Sequence, residues 1–247
     1  YITAEDVNTR LSDMDYINME TDYVTGLAGK SGNPSPVTAL GVFYSVKAAM
    51  NQAFGTQDLK GKKFLIQGVG NVSTTLCKMI HEEGGELIVA DLPEFAQARL
   101  DFVVKHYGAK VVSTDEIMGL EADCYCPCAL GGTLNPETIA NLKVKVVAGA
   151  ANNVLEDIER DGQLLHDRGI VYAPDYVANA GGVINVYHEL LGYKEENVKA
   201  DVAKIYERIT QIIKESKEKN IPTAKVADLM AERRIEMVSK VKLKHKA

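Results

Sequence analysis

Few residues in this chain could staple it or ligate a metal. Four cysteines and five histidines in 247 residues are too few for a disulfide framework at this length, so a reducing, cytoplasmic setting is expected. No apolar run approaches the roughly 20 residues needed to span a bilayer as a helix. Positive charge is not in excess: 28 Lys and Arg against 34 Asp and Glu leave −6. That balance argues against nucleic acid or an anionic membrane as the main partner. The sequence opens at Tyr1 without Met or a basic-then-apolar stretch, and Tyr1-Ile2-Thr3-Ala4 is expected to be the middle of a longer chain. There is no internal repeat, and the basic stretch from Lys240 to Lys246 reads as a solvated end.

What is present is an alternation. Residues 1–25 are polar and acidic, and glycines and prolines at 26–36 mark a connecting loop. Val37 to Phe54 has helical periodicity and stops at Gly55. Six short apolar runs follow: Phe64–Ile66, Leu87–Ala90, Val111–Val112, Cys124–Ala129, Val144–Val147 and Ile170–Tyr172. A helical pattern from Val72 to His81 lies between the first two runs, and Pro93 can open the next helix. Continuous apolar runs suit strands buried on both faces. Strand and helix in alternation predict an α/β fold, a doubly wound Rossmann-type parallel sheet. Beyond residue 195 come two charged helical stretches, Ala200 to Lys217 and Thr223 to Val241. The first carries an apolar stripe of Ile205, Ile209, Ile212 and Ile213 that needs a neighbour, expected to be a segment outside this sequence.

The first strand ends in Gly68-Val69-Gly70-Asn71-Val72-Ser73. Gly68 allows a tight turn, and Gly70 lets backbone approach a pyrophosphate lodged at a helix N-terminus, beside Asn71 and Val72. Ser73 replaces the third glycine but is small enough for close helix–strand packing. Asp91 ends the second strand about 20 residues on, where the dinucleotide fingerprint places a carboxylate for the adenine ribose hydroxyls. That carboxylate would repel a 2′-phosphate, and Leu92-Pro93 supply no arginine, so NAD is favoured over NADP. The plainer alternative is a simple turn at Gly68 and Gly70 and a helix cap at Asp91.

Other motifs carry a family likeness. Thr3-Ala4-Glu5-Asp6-Val7, Ser31-Gly32-Asn33-Pro34-Ser35-Pro36-Val37-Thr38-Ala39, Pro127-Cys128-Ala129-Leu130-Gly131, Gly149-Ala150-Ala151-Asn152-Asn153 and Asn179-Ala180-Gly181-Gly182-Val183-Ile184-Asn185 occur in that order. Together they resemble the Glu/Leu/Phe/Val amino acid dehydrogenases, most nearly the leucine dehydrogenase branch. The resemblance implies NAD-dependent oxidative deamination of an L-amino acid to a 2-oxo acid and ammonia. It implies Asp6 as acid/base on the carbinolamine, since the amine must leave protonated or neutral. It implies Thr38 at the nicotinamide carboxamide, Ala129 and Leu130 along the ribose, and Asn152 near the nicotinamide and the substrate carboxylate. Asn179 is expected beside the cofactor, and Val183 and Val186 in the side-chain pocket. Taken singly, Asp6 is an ordinary surface carboxylate or cap, each Asn a turn residue and each Val a core residue.

The resemblance also implies a catalytic lysine, and a second lysine for the substrate carboxylate, in a glycine-rich segment of a preceding domain. Lys30 belongs to the connecting loop and does not match that segment. The expected division is therefore a substrate-domain remnant at 1–25, an NAD-binding domain at 26–195, and helices at 196–247 that pack back toward a first domain. Such a chain should bind NAD and turn over poorly alone, while the intact enzyme is a homo-oligomer. A non-catalytic NAD-binding module is the competing reading. No metal is expected: Cys124, Cys126 and Cys128 alternate on a strand, without the paired spacing of a zinc site. His81 and His188 read as surface or packing residues.

Overall fold

A computed structural model describes residues 1–6 and 8–244, the side chains only as far as 240. Val7 of the first motif and Lys246 of the basic tail lie outside the described residues. The chain opens with a short helix α1 (Leu11–Asn18), followed by α2 (Ser35–Phe54). Alternation then begins with β1 (Lys63–Gln67), α3 (Asn71–Glu82), β2 (Glu86–Ala90), α4 (Pro93–Tyr107) and β3 (Lys110–Val111). It continues through β4 (Cys124–Pro127), α5 (Pro136–Asn141), β5 (Val146–Val147), α6 (Ile158–Asp167) and β6 (Val171–Tyr172). Four helices close the chain: α7 (Asp175–Ala178), α8 (Gly181–Leu190), α9 (Glu195–Lys219) and α10 (Thr223–Lys244).

All strand pairs are parallel, and the six-stranded order is β3-β2-β1-β4-β5-β6. Strand order reverses between β1 and β4, so a crevice opens at the carboxyl ends of those two strands. The period of two along each strand divides the core. Phe64, Ile66, Leu87, Val89, Cys124 and Cys126 face one side, packed with α2, α3, α4 and α9. Leu65, Tyr125 and Val147 face the other, with α5, α6 and Ala224 of α10.

The terminal stripe has its neighbour within this chain. Ile205, Ile209 and Ile213 are buried in the same cluster as Val42, Val46 and Ala49 of α2. Ile212 packs with Val226 and Ala227 of α10. The expectation that the stripe faces a segment outside the sequence is thus corrected. An amphipathic helix buries its apolar face on the nearest matching one, and α2 supplies it. Three of the apolar runs give only two-residue strands, β3, β5 and β6; Val112 lies just after β3, and Val144 and Ile170 lie in the loops before β5 and β6.

Candidate functional site

The crevice is built from loops that touch. Gly68 has φ +97°, a conformation that L side chains rarely adopt, and a Cβ there would lie 2.6 Å from the Ala129 nitrogen. The loop after β1 and the loop after β4 can meet only because that atom is missing. Above Gly70 a Cβ would meet nothing within 4 Å, so the turn faces open space.

Asp91 grips this turn. Its Oδ2 accepts from the Val69 N–H at 2.6 Å, and its Oδ1 accepts from its neighbour Leu92 at 2.7 Å. The carboxylate therefore sits at the turn, where a ribose would lie in a dinucleotide complex. Ser73 does more than pack. It is buried, and its Oγ accepts from the Gly70 N–H at 2.8 Å. With Val69 and Gly70 so engaged, the first-turn N–H groups of Asn71 and Val72 remain, since such groups have no acceptor within their own helix. These two suit a phosphate oxygen.

Arg99 on α4 also reaches this corner, its Nη2 lying 3.4 Å from the Asn71 Oδ1. A cavity of about 440 Å³ opens beside it, lined by Ser35, Asn71, Thr74 and Phe102 among others. Sequence reading looked for an arginine only next to Asp91 and missed this one. Its position one helix later gave no local signal.

On the other side of the crevice, α2 and α8 cross at glycines. A Cβ on Gly181 would fall 2.2 Å from the Val37 carbonyl oxygen, and one on Gly182 would fall 2.6 Å from the Thr38 Oγ1. Thr38, whose hydroxyl donates to Pro34 O at 3.0 Å, thereby sits against the start of α8. Asn152 follows β5, and Asn179 follows α7. The Asn179 amide nitrogen donates to Ala150 O at 3.1 Å and to Asn152 Oδ1 at 2.5 Å. The structure thus joins these two residues directly. Val183 is 68% exposed and Leu130 75%, so neither is a core residue. Val186 is half-buried.

Asp6 is exposed on the N-terminal segment. There its N–H donates to Thr9 Oγ1 at 2.8 Å. The segment joins the rest through a loop held by α8. Glu189, with its side chain 3% exposed, accepts from the Gly26 N–H at 2.9 Å, the Ser31 N–H at 3.2 Å and the Ser31 hydroxyl. Lys30 Nζ lies 3.9 Å from the other carboxylate oxygen. Asn185 Nδ2 donates to Ser31 O at 3.3 Å. Sequence reading missed this clasp, because its partners are about 160 residues apart.

The cysteines are free thiols. Cys124 and Cys126 share a face, with sulfurs 3.7 Å apart. The contact with Cys124 and burial together push the Cys126 thiol well up, and burial pushes up Cys77 and Cys128. Thiols so disfavoured as thiolates are poor nucleophiles and poor metal ligands. Among the described residues no group of three or more His, Cys, Asp or Glu is placed to hold a metal. His188 packs as expected but has a partner: it is 8% exposed and bonded to Asp201 Oδ2 at 2.8 Å. No helix among the described residues is long and apolar enough to cross a membrane.

Comparison with known proteins places this geometry. The profile of the Glutamate/Leucine/Phenylalanine/Valine dehydrogenase family matches residues 29–92 and 89–242. Leucine dehydrogenase of Geobacillus stearothermophilus is 51% identical over 245 residues, which is 98% of this chain and 66% of the relative. Leucine dehydrogenase of Bacillus cereus is 54% identical over 238 residues, covering 95% and 64%. The chain therefore spans somewhat less than two thirds of the length of these relatives. The crystal structure of L-tryptophan dehydrogenase from Nostoc punctiforme superposes with a TM-score of 0.85 at 41% identity, covering 97% of this chain and 68% of that one. The strand order, the crevice and these matches together show that the chain belongs to the Glu/Leu/Phe/Val dehydrogenase family.

Proposed function

We propose that this chain is the cofactor-binding part of an NAD-dependent amino acid dehydrogenase that oxidatively deaminates a branched-chain or aromatic L-amino acid. One juxtaposition carries the reading. A phosphate-ready turn with Asp91 in its grip opens the same crevice edge that carries the Asn152–Asn179 pair and the exposed Val183.

The residues present fit the cofactor. Gly70 opens onto empty space, Asn71 and Val72 offer backbone N–H groups, and Asp91 is an acceptor for ribose hydroxyls. Thr38, Ala129, Leu130 and Asn179 would line the path toward the nicotinamide end. Bound there, NAD would supply the hydride acceptor. Asn152 would hold the substrate carboxylate, Val183 and Val186 would border its side chain, and Asp6 would move the proton on the departing amine. The segment at 1–25 then belongs to the substrate domain, residues 26–195 form the NAD-binding domain, and the helices at 196–247 brace it. The intact enzyme is proposed to work as a homo-oligomer.

The test is NAD reduction by the gene's full-length product, with L-leucine and L-phenylalanine, alongside the 247-residue chain. Activity is expected in the full-length product and little or none in the chain alone. A full-length product that binds NADH yet reduces NAD with no aliphatic or aromatic amino acid would instead establish a non-catalytic binding module.

A further inference from the structure

The hydrogen bonds around Asn179 fix an orientation that an amide cannot choose for itself. The Ala150 carbonyl can only accept, so the Asn179 atom 3.1 Å from it is the amide nitrogen. That nitrogen lies 2.5 Å from the Asn152 side chain. An amide nitrogen only donates, so the Asn152 atom it meets is Oδ1. Asn152 must then turn its own NH₂ away from Asn179. Asn152 is exposed, and no described protein group accepts from that NH₂. A backbone carbonyl in the loop after β5 has in effect decided which end of the Asn152 amide turns away from Asn179.

The choice matters for what can bind. An outward NH₂ donates to an anion, whereas a flipped amide would present its carbonyl oxygen and repel one. We propose that Asn179 is a positioning residue, tied to Ala150, that fixes the Asn152 amide as a donor for the carboxylate of an amino acid or 2-oxo acid. This rests on the dehydrogenase reading above, and it adds to the cofactor contact proposed for Asn179 a support for the substrate contact.

A double-mutant cycle tests it in the full-length product: Asn179→Ala, Asn152→Ala and both together, with L-leucine as the probe. A hydrogen bond to a charged group is at stake, so Asn179→Ala should raise KM about tenfold. The KM for L-leucine should rise by a larger factor than the NADH dissociation constant does and than kcat falls, as expected when binding of one substrate group is the main loss. If Asn179 acts through Asn152, the double variant should be no worse than Asn152→Ala alone. Additive losses, or an unchanged KM, would overturn the proposal. A second readout needs no substrate. In ¹H–¹⁵N spectra of the 247-residue chain, the Asn179 NH₂ should exchange slowly and the Asn152 NH₂ at solvent rates. Equal exchange in the two amides overturns the relay even if no amino acid proves to be a substrate. Slow exchange at Asn179 alone supports it, while a catalytically silent full-length product would count against the dehydrogenase reading only.

Discussion

The carboxyl edge of the sheet and the N-terminal segment are held by different means. At the sheet edge, backbone meets backbone across missing Cβ atoms, at Gly68 against Ala129 and at Gly181 against Val37. Beneath that edge lies a continuous core of fully buried strand residues. Among the described residues, the N-terminal segment has a cluster of Met14, Val24 and Leu27 with Ile17 beside it, a bridge between Thr3 and Val24, and the Glu189 clasp. A site made by the first kind of contact is pre-built. A site that needs Asp6 depends on the second kind. The proposed chemistry thus draws on a crevice held by backbone contact and on an N-terminal segment clasped by Glu189.

The largest expected effect breaks the pre-built half. Gly68→Ala puts a Cβ in a left-handed conformation and into Ala129, which should cost about 2–4 kcal/mol and abolish NADH binding. Urea unfolding and a fluorescence titration measure both, and an intact crevice in this variant would refute the close-contact account. Glu189→Ala should act on the other region alone. Removing a buried acceptor from three donors should cost the segment about 2–3 kcal/mol locally. Amide protection at Gly26 and Ser31 should fall while that of Phe64 to Ile66 stays high. Loss of protection in both places would mean that the two regions are one cooperative unit.

Asp91→Ala sharpens the crevice itself. Loss of the ribose acceptor should lower the preference for NAD over NADP by about tenfold, helped by Arg99 nearby. Stability should fall by about 1 kcal/mol, because the Val69 N–H loses its acceptor. Unchanged relative affinities for the two cofactors would remove the ribose role and leave Asp91 as a clamp on the turn.

The smallest effect is a contrast in pH. In the core, burial of Asp161 would raise its pKa, but two bonds from Arg160 and one from the Asp157 N–H outweigh this and hold it low. A lowered carboxylate stabilises above its unfolded value, and that contribution is lost as pH falls through the folded one. In the N-terminal segment the sign reverses. Burial and the nearby Asp13 hold Glu5 above the usual glutamate range. Stability tied to its protonated form is present below the unfolded value and lost as pH rises through the folded one. Glu5→Gln should therefore raise amide protection at Thr3 and Thr25 at pH 7 and change nothing at pH 4. Asp161→Asn should weaken the core most at pH 7. Parallel responses in the two regions would erase the distinction between them.

Much of this architecture was legible in the residues. The runs at Phe64–Ile66 and Leu87–Ala90 became β1 and β2, because strands buried on both faces must be apolar throughout. Gly55 and Pro93 marked a helix end and a helix start, since glycine adopts the left-handed cap without a Cβ penalty and proline fixes a helical φ. The glycine turn and Asp91 were readable because their roles depend on spacing within one strand–helix–strand unit.

The rest required three dimensions. That Ile205 packs on α2, that Ser73 accepts from Gly70, that Glu189 holds Gly26 and Ser31, and that Ala150 orients Asn179 and so Asn152 are not properties of local pattern. By itself the sequence determined which segments become strands and helices and where a glycine turn opens at the sheet edge, because steric and hydrophobic periodicity act over a few residues. Only the tertiary structure decided which amide presents its NH₂, which carboxylate becomes a clasp, and which helix covers the isoleucine stripe. Those outcomes depend on the single partner that packing brings within hydrogen-bonding or contact distance, and its position along the chain does not foretell it.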